Sequence, residues 1–229
     1  MKRSQLLQEI ASHIVQLKQP HPIRVAIDGV DAAGKTMLAR ELVPLIQALG
    51  RPVIHASIDG FHNPARIRYQ RGTTSPAGYY YDSFNYEALI ESLLAPLGPS
   101  GSRQYVPAVF DYRTDSALQI PKRTAEENAV LLFDGVFLLR PELRERWEFT
   151  VFVAAAFEVT LARAMQRDLS LFDSAEAIRE RYEQRYIPGQ ELYFEECQPE
   201  EKAKVVVDNN DARNPVVVPV GEANIANED

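Results

Sequence analysis

The sequence predicts an α/β domain, with a mainly parallel five-stranded sheet flanked by helices. Three observations carry that expectation. Apolar runs at residues 23–27, 53–58, 129–133, 149–153 and 204–207 have the length of buried strands. Segments of helical period lie between them, and alternating strand and helix implies parallel pairing through right-handed crossovers. A glycine-bearing run, Gly29-Val30-Asp31-Ala32-Ala33-Gly34-Lys35-Thr36, joins the first strand to a helix at residues 37–49.

That run fits the phosphate-binding pattern G-x-x-x-x-G-K-[ST], in the strand-before, helix-after context the pattern needs. Its glycines let backbone N–H groups turn in around a phosphate chain, and the helix start adds a positive dipole end. The expectation is a three-layer P-loop NTPase fold with ATP held by Gly29, Val30, Asp31, Ala32, Ala33, Gly34, Lys35, Thr36 and Met37. Lys35 would reach the β- and γ-phosphates, and the Thr36 hydroxyl would ligate Mg²⁺.

The remaining elements follow in order. Leu6, Ile10, Ile14 and Leu17 recur at helical spacing, so residues 1–20 read as an amphipathic surface helix rather than a leader. Gly50-Arg51-Pro52 is a turn, and residues 59–85 are a Gly-, Pro-, Arg- and Tyr-rich stretch without strong period. Residues 86–94 read as a helix and 96–101 as a turn. Residues 104–110 and 118–120 read as short extended pieces, a small β excursion over the acceptor site. Helices are expected at 157–169 and 174–186, and an edge strand at 216–220. No interdomain linker stands out, so residues 1–220 read as a single P-loop domain and 221–229 as a frayed polar tail.

Composition narrows the classes of function. The net charge of −7 opposes binding of a nucleic acid polymer through a basic surface. No apolar run reaches the roughly 18 residues of a membrane span. The single cysteine, Cys197, excludes an internal disulfide and a cysteine-based zinc site, and it fits a reducing cytoplasm. It reads as an incidental residue near a helix end. His55 reads as a packing residue of the second strand, and His13 and His21 as surface residues.

Three clusters bear on the fate of a γ-phosphate. Asp59 directly follows the second strand, at the carboxyl end where ligands collect in open α/β sheets. There it could accept a proton from an attacking hydroxyl or help hold Mg²⁺. Asp134 ends the apolar run Leu131-Leu132-Phe133, as expected of a second Mg²⁺-orienting element. Arg163 and Arg167 are four apart, share a helix face, and could neutralise phosphate charge as a lid. Arginines interleaved with tyrosines between Arg66 and Asp82 suit a small polar or aromatic substrate, and equally a protein interface.

With these residues in view, the chain resembles the uridine kinase, phosphoribulokinase and bacterial pantothenate kinase superfamily over residues 22–211. The resemblance runs through the phosphate loop, Asp59-Gly60-Phe61, Arg71-Gly72, Asp82-Ser83-Phe84-Asn85, the segment 107–111, Phe133-Asp134-Gly135 and Arg167-Asp168. It implies an ATP- and Mg²⁺-dependent kinase acting on a small-molecule hydroxyl, uridine or cytidine first. Asp59 would be the general base, and Lys35, Arg163 and Arg167 would stabilise charge. Thr36 and Asp134 would hold the metal. Phe61, His62, Arg71, Tyr79, Asp82, Phe110 and Asp111 would line the acceptor pocket. A homo-oligomer is implied by analogy alone.

The chain also departs from the uridine kinase pattern. Tyr79-Tyr80-Tyr81 stands where those enzymes carry a ribose-holding Asp-His-Pro, and Asp115 is the nearest counterpart of their base-contacting His. The segment Asp59-Gly60-Phe61 with Pro64 and Arg71-Gly72 is closer to pantothenate kinases, so pantothenate or a sugar-like alcohol is the alternative acceptor. A regulatory GTPase is the rival of another class; no Asn-Lys-x-Asp guanine-reading segment is present.

Overall fold

The computed structural model describes residues 2–169, 172 and 174–218. The expected tail at 221–229 lies outside them. Helix α1 (Arg3–Gln16) leads into strand β1 (Ile23–Gly29), the phosphate loop and helix α2 (Lys35–Ala48). Strand β2 (Val53–Ser57) follows, then a 3₁₀ turn Ile58–Phe61 and short helices α3 (Ala65–Arg68), α4 (Pro76–Asp82) and α5 (Tyr86–Leu89), the last continued by a π turn Ile90–Leu94. Two-residue strands β3 (Gln104–Tyr105), β4 (Phe110–Asp111), β5 (Ser116–Ala117) and β6 (Arg123–Thr124) precede β7 (Val130–Asp134) and β8 (Phe149–Ala154). Helices α6 (Phe157–Arg167), α7 (Ala175–Arg181), α8 (Ile187–Cys197) and α9 (Pro199–Lys202) come next, then strands β9 (Val205–Asp208) and β10 (Val216–Val218).

The main sheet has the order β10-β9-β8-β1-β7-β2. The expected strands pair in parallel, and β10 adds an antiparallel edge. Strands β1 and β7 are buried along their whole length, as apolar runs covered on both faces must be. One face is covered by α1 and α2, which bury Leu6, Ile10, Ile14, Leu38, Leu42 and Ile46. The other packs on an aromatic-rich layer in which Phe137 meets Tyr79, Tyr80, Phe84 and Tyr193 edge-on.

The structure corrects several local expectations. The β excursion uses Ser116–Ala117 rather than residues 118–120: Asp111 caps a tight turn, Asp115 takes a positive φ of 50°, and Phe110 pairs with Ala117. Helix does not stop at Tyr186. A π turn at Tyr182–Tyr186 carries α7 into α8 past Pro188, whose missing N–H the wider turn accommodates. His21 is buried, not on the surface, with Nδ1 donating to the Pro22 carbonyl at 2.9 Å. His55 does not pack: it is exposed and bonds to Asp134.

One buried ion pair anchors the amino end of β1. Arg24 donates from its backbone N and its side-chain Nε and Nη2 to Glu148, at 2.7, 3.1 and 2.6 Å. Its Nη1 reaches the Leu94 carbonyl at 3.0 Å. Removing one partner leaves a charge stranded in the core, so Glu148→Ala should destabilise by about 3 kcal/mol. Urea unfolding of the purified variant checks this.

Candidate active site

The topology brings three sequence-distant segments to one end of the sheet. β7 lies between β1 and β2, with Asp134 level with both Ile27 and Ser57. The phosphate loop leaving β1, the carboxylate ending β7 and Asp59 just beyond β2 therefore share the carboxyl end of neighbouring parallel strands.

The loop is built against a fixed backing. Gly29 has φ +148°, and a Cβ there would lie 2.3 Å from the Val153 carbonyl oxygen. Gly34 has φ +102°, and its Cβ would lie 2.7 Å from Asn209 Nδ2. Both positions need glycine for backbone conformation and for space. Asn209 Nδ2 donates to the Ala33 carbonyl at 2.7 Å. Arg163 donates to the carbonyls of Asn209 (2.7 Å), Asn210 (3.0 Å) and Ala33 (3.4 Å). Its guanidinium thus holds the back of the loop. Met37, one turn into α2, is exposed.

At the front of the loop, Lys35 Nζ donates to the Val30 carbonyl at 2.7 Å. Burial lowers its pKa against the pull of Asp31, Asp28, Asp134 and Asp59. The Thr36 hydroxyl donates to Asp134 Oδ2 at 2.6 Å, and His55 Nε2 donates to Asp134 Oδ1 at 2.7 Å. Burial works against ionisation of Asp134, but the bonds from His55 and Thr36 outweigh it and hold the carboxyl below its usual range. Asp134 is therefore a carboxylate at neutral pH.

Asp59 sits in the 3₁₀ turn after β2, its backbone N–H donating to Ser57 Oγ at 3.4 Å. The residue is exposed to solvent, yet its carboxyl has protein packed around much of it. That burial, with the charges of Asp31 and Asp134, raises its pKa to about 6, against Lys35 and Arg167. A carboxylate tuned toward neutrality is a better proton acceptor than an ordinary one.

The residues expected around the acceptor fall into two groups. His62 stacks between Phe84 and Tyr112, at 4.6 and 4.8 Å between centroids, and its Nδ1 donates to the Asp59 carbonyl at 3.1 Å. Burial lowers its pKa to about 4, so the ring is neutral. Tyr79 packs on Phe137 and Tyr186, within the charge field of both Asp31 and Asp59. His62 and Tyr79 therefore lie beside Asp59. By contrast, Arg71 Nε donates to Asp82 Oδ2 at 2.7 Å, so the two are paired with each other. Phe61 and Phe110 are core residues, and Asp111 accepts from the Arg113 N–H at 2.9 Å as a turn former.

Arg167 turns to the loop. Its Nε and Nη2 grip Asp168 at 2.6 and 2.8 Å, and Nη2 also donates to the Tyr182 hydroxyl at 3.2 Å. The bonds to Asp168 raise its already high pKa.

Sequence reading passed over Asp28, Tyr182, Gln190, Tyr193 and Asn209. Asp28 is fully buried beneath the loop and accepts from the Tyr193 hydroxyl at 2.5 Å and the Gly29 N–H at 2.8 Å. Burial raises its pKa to about 6 despite those bonds. The signal was present: an acidic residue inside a strand otherwise buried end to end must have partners. Gln190 and Tyr193 carried no such signal, because their partners at the loop, Asp31 and Asp28, lie more than a hundred residues away.

A phosphate loop at the end of a parallel sheet, with one carboxylate ending the neighbouring strand and another just beyond the next, is the arrangement of a P-loop fold. The sequence model of the Phosphoribulokinase / Uridine kinase family matches residues 24–210, and the chain belongs to that family. No curated protein matches it in sequence. Among solved structures, a Bacillus stearothermophilus protein named as a possible uridine kinase is 22% identical, with 89% of this chain and 97% of that one covered at TM-score 0.70. A Silicibacter sp. TM1040 protein provisionally named a fructose transport system kinase is 22% identical, with 82% and 93% covered at TM-score 0.69. Phosphoribulokinase from Rhodobacter spheroides is 12% identical, with 83% and 71% covered at TM-score 0.56. At these identities the likeness is one of fold. Among the described residues, no helix is long and apolar enough to cross a membrane.

Proposed function

We propose that this protein transfers the γ-phosphoryl group of ATP to a hydroxyl of a small molecule in the cytoplasm, with Mg²⁺, and that the acceptor is a nucleoside such as uridine or cytidine. The observation that carries the reading is Asp59. It is a carboxyl raised to about 6, just beyond the strand that pairs with the one Asp134 ends, and within the charge field of Lys35.

In this reading each of the chain's own groups has a part in the transfer. Asp59 takes the proton of the acceptor hydroxyl as its oxygen attacks the γ-phosphorus. The bond from that phosphorus to the bridging oxygen breaks, and ADP leaves with the electron pair. Lys35 and the loop amides hold the phosphate oxygens, and Arg167 supplies charge from the lid side. Arg163 holds the loop from behind.

The Thr36 hydroxyl and the Asp134 carboxylate, already in contact, are a hard oxygen pair suited to Mg²⁺. Among the described residues no cluster of three or more His, Cys, Asp or Glu could hold a metal alone. That fits an ion bound through one carboxylate and substrate phosphates. When bound, Mg²⁺ would neutralise charge on the transferring group.

A second reading, pantothenate or a sugar-like alcohol, draws on the tyrosine run. α4 buries Tyr79 and Tyr80, so a core helix occupies the place of a ribose-holding Asp. An ADP-release assay over nucleosides, pantothenate, glycerate and hexoses separates the two. Turnover with uridine or cytidine supports the first reading; turnover with pantothenate or a sugar and inert nucleosides selects the second. A GTPase switch would show slow hydrolysis of GTP indifferent to every acceptor.

A further inference from the structure

A loop that must hold a polyanion here carries a carboxylate of its own. The Asp31 side chain does not point freely into solvent. Its Oδ2 accepts from the Tyr182 hydroxyl and from Arg167 Nη2, the latter at 3.5 Å. Its Oδ1 accepts from the Ala32 N–H at 2.9 Å, and Ala32 has φ +57°. The backbone N–H of Asp31 donates to Gln190 Oε1. Tyr182 and Gln190 are buried, and Gln190 is oriented by its Nε2 donating to the Tyr186 carbonyl at 2.9 Å. One loop residue therefore ties the phosphate loop to α6, to the π turn and to α8.

In this arrangement the groups that would meet a nucleotide are already engaged. Arg167, the cation that would serve the phosphates, is held on Asp31, Asp168 and Tyr182. The amide of Asp31, a loop donor, is held by Gln190. Phosphate oxygens entering the loop meet the Asp31 carboxylate as a like charge and compete with it for Arg167.

We propose that Asp31 is a positioning residue that latches Arg167 and the α6–α8 layer to the phosphate loop before nucleotide binds, and that the phosphates of ATP take Arg167 from it. The inference rests on the kinase reading, because it requires ATP in this loop. The latch holds the lid cation at the loop mouth and sets a threshold that only a highly charged ligand overcomes.

Calorimetric titration with Mg²⁺ and adenylyl imidodiphosphate, ADP or adenosine tests it. Asp31→Asn should tighten the triphosphate analogue about tenfold and ADP about threefold, and leave adenosine unchanged, with the differences shrinking at high salt. Mere structural damage would weaken all of them. Tyr182→Phe, which removes only a hydroxyl, should shift the triphosphate analogue in the same direction by about threefold. It also keeps the test open if Asp31→Asn does not fold. If wild-type protein binds no nucleotide, the kinase reading itself fails. If wild type binds and both folded variants bind the analogue equally or more weakly, only the latch is overturned.

Discussion

Asp59→Asn should lower kcat about 100- to 10,000-fold while leaving the affinity for ATP nearly unchanged, because general base catalysis is worth that much and the amide cannot accept the proton. The substitution keeps shape and polarity, so it separates proton transfer from packing. The same residue sets the pH profile. With a pKa of about 6, Asp59 is ionised above that pH and protonated below it. The kcat/KM of the wild-type enzyme should fall with unit slope as pH drops through about 6, and the Asn variant should lack that limb.

Stability should move the other way. The folded pKa of Asp59 is raised from the ordinary 3.8, so ionisation opposes folding above pH 6, and the penalty fades as pH falls from 6 to 4. Asp59→Asn should therefore melt higher than wild type at pH 7.5 and show no gain at pH 4. A variant that loses both activity and stability would place Asp59 among structural residues. The expected pattern, dead but more stable, marks a carboxyl held in an unfavourable field for a chemical purpose.

Lys35→Met should reduce kcat about 100- to 1,000-fold and weaken ATP, since it removes a preorganised charge from the phosphates. Its second effect is diagnostic. Lys35 feels Asp31, Asp28, Asp134 and Asp59, and its cation lowers the Asp59 pKa. Without it the carboxylates repel one another unopposed, and Asp59 must rise further above 6. The residual activity of Lys35→Met should therefore show its acidic limb displaced to higher pH. An undisplaced limb would mean that the group titrating in the wild-type profile is not Asp59.

Much of this site was legible in the sequence because its parts are local. A phosphate loop is a contiguous run whose glycines are required by φ and by space, at Gly29 and Gly34, and whose flanking strand and helix are short-range patterns. Asp59 and Asp134 could be found because each closes an apolar run, and the carboxyl ends of parallel strands meet at one edge. Arg163 shows where local reading stops. Helical spacing places it on one face with Arg167, yet their environments differ. Arg163 meets the carbonyls of Ala33, Asn209 and Asn210, while Arg167 meets Asp168, Tyr182 and Asp31. Spacing gives a face, and only the neighbours on that face decide what a guanidinium touches.

The phosphate loop, the parallel sheet and the two carboxyls at its carboxyl end are thus determined by short stretches of sequence, through glycine conformation, strand hydrophobicity and the geometry of parallel pairing. Tertiary structure alone decided the rest. It buried Asp28 under Tyr193, carried helix past Pro188 through a π turn, paired Arg71 with Asp82, and brought Gln190 and Tyr182 onto Asp31. Those outcomes depend on contacts between residues far apart in the chain, where the energy comes from packing and charge neutralisation in the assembled core and no local propensity encodes the partner.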